Sequence, residues 1–243
     1  MTIWAKCLSA ITALTFATAA YAGPPYETDD PVPTDTGKWE VLVFGGIDGI
    51  ASEFHGSSGL DINYGAAPNV QLTTTILMDF EHGEASRVGV GDAEIGLKYR
   101  FYNNEAAGFS LAVFPRVILP TSGPNAGSGL VSMRLPIWAQ KDFGPWSLFG
   151  GGSYTTNPGD GNRGFWSQGA VLTRSFSDRV SLGFEVNHEG PAEVGGTGVT
   201  AVQIGGVYKL SEPLSLEFAI GPGFDDDGGP AHYYGYAALG ISF

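Results

Sequence analysis

The stretch from Tyr233 to Phe243 alternates between two kinds of side chain at successive positions. A period of two predicts an extended β-strand whose two faces meet different surroundings, whereas an amphipathic helix repeats its apolar positions about every 3.6 residues. This stretch therefore has to form part of a sheet. One face carries Tyr233, Gly235, Ala237, Leu239, Ile241 and Phe243, and the other carries Tyr234, Tyr236, Ala238, Gly240 and Ser242.

The amino-terminal residues have the composition of an export signal. Lys6 supplies one positive charge, Cys7–Ala19 is apolar and small, and Ala20–Ala22 has the small-x-small form of a cleavage site. The apolar run is too short for a membrane-spanning helix. We expect a signal peptide over residues 1–22, with cleavage near Ala22. Cys7 is the only cysteine, lacks a lipoprotein motif and would leave with the signal, so no disulfide or thiol chemistry is expected.

An export signal combined with an alternating strand that ends on Phe243 is typical of bacterial outer-membrane β-barrels. We therefore expect a location in the outer membrane and contact with its lipids and lipopolysaccharide. The outer-membrane assembly machinery is the other expected partner, because it reads a terminal aromatic residue preceded by apolar residues at alternate positions. The predicted assembly signal comprises Tyr233, Leu239, Ile241 and Phe243.

The charge balance excludes one class of partner. The chain has 12 Lys and Arg residues against 25 Asp and Glu residues, which gives a formal net charge of −13 at pH 7. Removal of Lys6 with the signal would make the protein one unit more negative. Nucleic-acid binding needs a basic surface, so no nucleic acid is expected as a partner.

Short alternating runs separated by turn residues continue along the rest of the chain. They predict an all-β fold, namely a transmembrane antiparallel β-barrel of about 12 strands over residues 38–243. Connections alternate between short turns and longer loops rich in Gly, Pro and acids, as expected for periplasmic turns and outer loops, with both termini in the periplasm. The predicted strands are Lys38–Ile50, Gly59–Tyr64, Asn69–Phe80, Val90–Tyr102, Phe109–Leu119, Leu130–Gln140, Trp146–Thr155, Phe165–Phe176, Val180–His188, Val199–Leu210, Leu214–Pro222 and Tyr233–Phe243.

Charged residues within the strands share one parity, and apolar residues take the other. An exposed Arg or Lys costs roughly 2–4 kcal/mol at mid-bilayer, so the charged parity should face the lumen. A soluble lipocalin-like barrel would show the reverse, and parity alone leaves both open; the export signal and Phe243 favour the membrane. Arg174 is ambiguous, because an inward Arg174 would take Trp166 and Leu172 inside. The predicted lumen-lining residues are Asp79, Asp92, Glu94, Lys98, Arg100, Arg116, Arg134, Glu185 and Glu217.

Pairing across the predicted hairpins sets five of these charges at one height. Arg116 should lie opposite Arg134, with Glu94 close to Arg116 and with Asp79 near Asp92 and Glu94. Such a row could act as a transverse field in a channel, or it could be a salt-bridged core that fills a narrow barrel. Both interpretations stay open at this point.

The segment before the first strand has a distinctive sequence, Pro24–Pro33 (PPYETDDPVP), followed by Gly37–Glu40 (GKWE). It resembles the start of the MetA-pathway of phenol degradation family, exported all-β proteins described as transporters. The resemblance implies uptake of aromatic compounds and transfers no site residues. The prolines keep the segment out of a β-ladder. We expect residues 23–37 to form either a periplasmic lead-in or a small plug in the lumen.

An enzyme is not expected. Outer-membrane phospholipases place a His and a Ser at the outer rim; here His188 has the lipid-facing parity, but Gly190 stands where that family has the Ser, so no nucleophile is available. His55, His82 and His232 show no metal-ligand spacing, and Asp225–Asp227 lacks the ligand pattern of an EF-hand. No cofactor or metal is expected.

The sequence as a whole predicts a passive outer-membrane channel or transporter for small molecules, aromatic or hydrophobic ones among them. The alternative from a different class is a closed, non-transporting barrel with a structural or surface-interaction role. A lipid hydrolase acting at the rim is a third and weaker hypothesis, since it lacks a nucleophile beside His188.

Overall fold

A computed structural model describes residues 25–50, 52–83, 86–122, 129–229 and 231–243. The predicted signal peptide, its cleavage site near Ala22 and the first residues of the Pro-rich segment lie outside the described residues. Among the residues described, no helix is both long enough and apolar enough to cross a bilayer.

The fold is a closed antiparallel β-barrel of twelve strands, as the sequence predicted. Each strand pairs with the next, and β1 pairs with β12 from Glu40 opposite Ser242 to Gly49 opposite Tyr233, which closes the barrel. The strands are β1 (Trp39–Ile50), β2 (Glu53–Ala67), β3 (Val70–His82), β4 (Arg87–Val90 and Ala93–Asn104), β5 (Phe109–Val113 and Arg116–Leu119), β6 (Ser132–Phe143), β7 (Trp146–Thr155), β8 (Phe165–Ser177), β9 (Val180–Glu189), β10 (Val199–Ser211), β11 (Leu214–Asp225) and β12 (His232–Ser242).

Strand β5 is interrupted at Phe114 and Pro115, but its alternation continues, so Phe114 faces the interior like Ala112 before it and Arg116 after it. Pro115 has no N–H for the ladder, although its carbonyl still accepts from Leu97 N at 3.1 Å. Phe114 N donates to Pro136 O at 3.2 Å, so β6 continues to hold the interrupted strand. The Phe114 side chain is 2% exposed and forms part of the barrel interior.

The short connections have the local chemistry of tight turns. Asn69 has a φ of 65° in the β2–β3 turn, a conformation that Asn tolerates better than most residues. In the β4–β5 turn, Asn104 accepts from Ala107 N at 3.0 Å, and Gly108 adopts the left-handed conformation with a φ of 57°. These turns lie at the end of the barrel opposite the longer loops.

Side-chain exposure decides between a membrane barrel and a soluble one. Large apolar residues cover the outer face, as shown by Ile76, Ile137 and Ile204, which are 51%, 52% and 61% exposed. Lys98, Glu185 and Glu217 are fully buried on the inner face. Apolar groups outside and charges inside are the arrangement of an outer-membrane barrel, the reverse of a soluble one.

Arg174, whose facing was ambiguous, lies on the outer face with Trp166 and Leu172. Its guanidinium carbon is 5.2 Å from the centre of the Trp146 ring and 4.9 Å from that of Phe176. Both aromatic residues lie at the short-turn end, where cation–π contacts can hold an arginine at a membrane interface. The exposed Tyr99, Phe101, Tyr102 and Tyr208 lie at the same end of the barrel.

Candidate functional site: an acidic cavity above an internal segment

The barrel encloses a cavity of about 1980 Å³ that extends from the loop end towards the middle of the barrel. Among the described lining residues, nine Asp and Glu side chains face three Arg side chains, so the lining is strongly acidic. Aromatic rings line the same cavity, including Phe44, Phe80, Trp138, Tyr234 and Tyr236. The cavity therefore combines negative charge with flat apolar surface. Its lower boundary includes Pro25–Asp29.

Residues 25–36, called the strap below, lie within the barrel and contact three parts of its wall. The first contact is with β9, where Glu185 is fully buried. The Glu185 carboxylate accepts from Thr28 N at 2.7 Å and from Glu27 N at 3.2 Å. A carboxylate that is taken out of water needs such donors, since a buried charge without partners is costly. Two backbone groups of the strap supply them.

Three glycines on the inner face of β8, β9 and β10 make room for the start of the strap. A β-carbon at Gly169 would lie 2.0 Å from Thr28 Oγ1. One at Gly183 would lie 2.6 Å from the Tyr26 hydroxyl, and one at Gly205 would lie 2.8 Å from the Tyr26 ring. Any larger residue at these positions would displace the strap, so the glycines allow the close approach of the segment to the wall.

The middle of the strap contacts the opposite wall through Asp29. Asp29 Oδ1 lies 3.0 Å from Lys98 Nζ on β4, and its Oδ2 lies 3.8 Å from Arg116 Nη2 on β5. Arg116 also pairs with Glu94 at 3.4 Å. The Phe114 ring lies between the two cations, 5.0 Å from Lys98 Nζ and 4.1 Å from the Arg116 guanidinium carbon. These groups form one charge cluster centred on Asp29.

The end of the strap is fixed to β2 and β3. Thr34 donates to Gln71 Oε1 from its backbone N at 2.8 Å and from its hydroxyl at 3.1 Å. Gln71 in turn donates to Asn63 Oδ1 at 2.8 Å and to Thr73 Oγ1 at 2.9 Å. Gly37 N then donates to Gly65 O at 2.7 Å where the chain enters β1. The strap thus crosses the barrel from the β8–β10 wall, past β4 and β5, to β2 and β3.

The predicted lumen-lining residues occupy three different environments. Asp79, Glu94, Arg116 and Arg134 line the cavity. Lys98, Glu185 and Glu217 are fully buried inside the barrel, and Lys98 and Glu185 bind the strap. Arg100 lies near the β2–β3 turn, where it donates to Asn69 Oδ1 at 2.9 Å, and Asp92 accepts from Ser122 N at 2.9 Å close to an outer loop.

The predicted row of charges forms only in part. Arg116 on β5 lies directly opposite Arg134 on β6 in the strand register, and the Glu94 carboxylate contacts Arg116, as expected. Asp79, however, lies opposite Gly89, whereas Glu94 lies opposite Thr75. Four residues along a strand correspond to about 13 Å, so Asp79 is not at the height of Glu94. Between these pairs, β4 contains one residue more than β3, around Gly91 and Asp92, and this extra residue shifts the register.

Sequence reasoning missed several members of the interior charge set, and Asp61 and Glu40 show why. Asp61 on β2 lines the cavity and accepts from Thr75 Oγ1 at 3.3 Å. Glu40 on β1 is 2% exposed and faces inward. The alternation within β1 and β2 could have identified both, because Leu42 and Asn63 share their parities and are buried.

The histidines lie around the outer mouth. His188 has the outward parity of Phe184 and Val186, as expected; at the loop end it borders the mouth of the cavity and contacts Thr200 Oγ1 at 3.0 Å. His55 Nε2 lies 3.3 Å from Asp48 Oδ2, and His232 lies 3.8 Å from Asp48 and 3.3 Å from Asp225. Within the described ranges, no three His, Cys, Asp or Glu side chains are arranged to hold a metal ion.

Comparison with known proteins identifies the fold. No family model and no curated protein sequence matches the chain. Among solved structures, the COG4313 outer membrane channel from Pseudomonas putida F1 superimposes with a TM-score of 0.72 at 14% identity, covering 88% of this chain and 98% of that one. The NanC porin gives 0.60 at 8% identity, covering 83% and 98%. The KdgM porin, solved in complex with disordered oligogalacturonate, gives 0.56 at 11% identity, covering 84% and 99%. The chain therefore has the fold of outer-membrane channels and porins.

Proposed function

We propose that the protein is an outer-membrane channel through which small solutes diffuse passively. The observation that carries the proposal is the cavity of about 1980 Å³, which has a charged lining inside a barrel with an apolar outer face. Ionised groups within a pore set which solutes enter it. A barrel with a purely structural role has no need for such a lining. The channel and porin folds of its structural neighbours support the same proposal.

The lining favours neutral and cationic solutes over anions. Nine carboxylates against three arginines produce a negative potential in the cavity, which repels anions and concentrates cations. The KdgM porin was solved with an oligogalacturonate, which is a polyanion. We infer that this protein does not pass ligands of that kind. The rings of Phe44, Phe80, Trp138, Tyr234 and Tyr236 suit solutes with a flat apolar part, which agrees with the resemblance to the phenol-degradation family.

The alternative is a closed barrel that transports nothing. The observation in its favour is the strap, which crosses the interior below the cavity and binds the fully buried Lys98 and Glu185. If the strap never moves, the cavity ends blindly. We propose that residues 25–36 act as a plug, which closes the path at this level for as long as the strap is docked.

We further propose that the protein is assembled in the outer membrane through its last strand. Tyr233, Leu239 and Phe243 lie on the outer face, 62%, 39% and 62% exposed, and Ile241 shares their parity. Phe243 exchanges two backbone hydrogen bonds with Trp39 at 2.8 and 2.9 Å, at the seam where the barrel closes. The residues proposed as an assembly signal therefore also complete the closing strand pair.

Liposome swelling tests the channel proposal. Folded protein should admit glucose, admit glucosamine faster and exclude glucuronate, three solutes with the same ring and different charge. A matched variant lacking residues 25–36 should admit glucose faster still. If neither protein admits any of the three solutes while both migrate as folded barrels in unheated gels, the closed-barrel alternative is the better account. Unchanged uptake in Lys141→Met is the expected control, since Lys141 is exposed beside the β4–β5 turn and does not line the cavity.

A further inference from the structure

We propose that the strap is a voltage-driven gate: its docked position closes the channel, and its release towards the periplasmic end opens it. This inference rests on the proposed channel function and adds a mechanism by which passage is controlled. It is carried by three features of the strap: how it is held, where it is anchored and how it is charged.

The strap packs its Tyr26 ring 6.4 Å from that of Phe149 and buries Pro25, Pro31 and Pro33 against the wall. It is fixed in place at three points by polar contacts. They are the hydrogen bonds to Glu185, the ion pairs of Asp29 with Lys98 and Arg116, and the hydrogen bonds of Thr34 to Gln71. Water can replace each of these polar partners once the strap moves. Between the contacts, prolines at 25, 31 and 33 exclude the segment from the strand ladder. The strap can therefore leave without breaking the barrel.

Among the described residues, backbone pairing holds the strap to the barrel at its carboxyl-terminal end, where the chain enters β1. Gly37 N donates to Gly65 O, Gly65 N donates to Lys38 O at 3.0 Å, and Thr36 forms a bridge to Gly65. Gly37 has a φ of 79°, which glycine adopts without strain, and a β-carbon there would meet no atom within 4 Å. This anchor lies at the short-turn end of the barrel, beside the β2–β3 turn. The released strap therefore remains tethered at that rim.

The charge of the strap makes its release sensitive to voltage. Residues 25–36 contain Glu27, Asp29, Asp30 and Asp35 and no Lys or Arg. A transmembrane potential does work on charges that move along the pore. A potential that is positive on the side of the short turns should pull the strap out towards that side. The opposite polarity should drive it into its docking site, so opening should depend on the sign of the voltage.

A reversible tether distinguishes a moving gate from a fixed constriction. A β-carbon at Gly169 lies 2.0 Å from Thr28 Oγ1, so the β-carbons of these two positions fall within the roughly 4 Å that a disulfide bridges. Thr28→Cys with Gly169→Cys locks the strap when oxidised, and Gly169→Cys alone, which crowds Thr28 without locking it, shows the effect of the larger side chain by itself. The control is Val41→Cys with Ile241→Cys, a directly paired position of β1 and β12 that does not involve the strap. Cys7 is the only native cysteine.

Conductance is recorded in planar bilayers with the protein inserted in one orientation. We expect the oxidised strap pair to conduct at least tenfold less than the reduced pair, and the dependence on the sign of the voltage to appear only after reduction. The control pair should give the same conductance before and after reduction. A conductance that is measurable and equal before and after reduction would overturn the gate and leave the channel in place. If the reduced pair is also silent, the variant lacking residues 25–36 decides. Conductance without asymmetry in that variant supports the gate, and silence overturns both the gate and the channel.

Discussion

Replacing Lys98 by Met should loosen the strap while the barrel stays folded. Lys98 is fully buried, and its ammonium lies 3.0 Å from Asp29 and 3.9 Å from Asp30. Breaking a buried ion pair by removing one partner typically costs about 3–5 kcal/mol. Asp29 keeps Arg116 at 3.8 Å, so we expect the lower end, about 3 kcal/mol. Because about 1.4 kcal/mol corresponds to a tenfold change, the docking equilibrium should weaken about 100-fold.

Hydrogen exchange measures this change at the strap itself. The amides of Glu27, Thr28 and Thr34 are protected through their bonds to Glu185 and Gln71, so they should exchange about 100-fold faster in Lys98→Met. Amides within the strand ladder should be unaffected, because the carboxylates can leave the interior with the strap. Met preserves the length of the apolar stem, so little cavity should result.

Two further variants isolate the ion pair. Asp29→Asn should release the strap to a similar extent, and the double variant should add less than the sum of the single effects, since the two residues share one interaction. Lys141→Met removes an exposed cation beside the β4–β5 turn and should leave the hydrogen exchange of the strap amides unchanged. Unchanged strap exchange in Lys98→Met would refute the reasoning. Equal acceleration of strap and ladder amides would also refute it, because it would make Lys98 a support of the barrel and not of the strap.

Three other predictions follow from the same contacts. Gly169→Ala should displace Thr28 and speed strap exchange with the barrel intact, whereas Gly89→Ala, where a β-carbon meets no atom within 4 Å, should have no effect; equal behaviour of the two would contradict this. Burial raises the pKa of Asp30 to about 7 against the opposing effect of Lys98, so the docked strap holds a proton that the free strap releases. Docking should be strongest below about pH 4 and weaken as the pH rises through 7, and Asp30→Asn should reduce that pH dependence of hydrogen exchange in the strap. Deleting Phe243 removes the backbone pairing with Trp39 and should reduce the heat-modifiable folded fraction in outer membranes; an unchanged fraction would rule out a role in assembly.

The barrel could be predicted from sequence because its signal is local. A strand that separates lipid from lumen alternates with a period of two, so Tyr233–Phe243 and the other runs reveal both their extent and their facing. Counting residues outward from the middle of the loop between β5 and β6 also gave the register there, and Arg116 lies opposite Arg134 as predicted. The start of β2 at Glu53 was missed, because Gly56, Ser57 and Ser58 provide no apolar alternation.

The site could be predicted only in part, because its contacts are not local. Asp79 was placed too close to Glu94, since nothing in the sequence marks the extra residue that β4 accommodates around Gly91 and Asp92. The path of the strap was left open, because Thr28 and Glu185 are separated by 157 positions and parity does not say what an inward carboxylate binds. Gly169 and Gly183 carry no sequence signal of the segment that packs against them.

The reversal potential of single channels in a potassium chloride gradient tests the central claim most directly. The claim is that solutes pass through a cavity whose carboxylates outnumber its arginines. We expect discrete conductance steps with a reversal potential shifted towards that of potassium. Conductance should rise in the variant lacking residues 25–36, with the cation preference retained. A folded protein that gives no steps with or without the strap, or steps that favour chloride, would contradict the account.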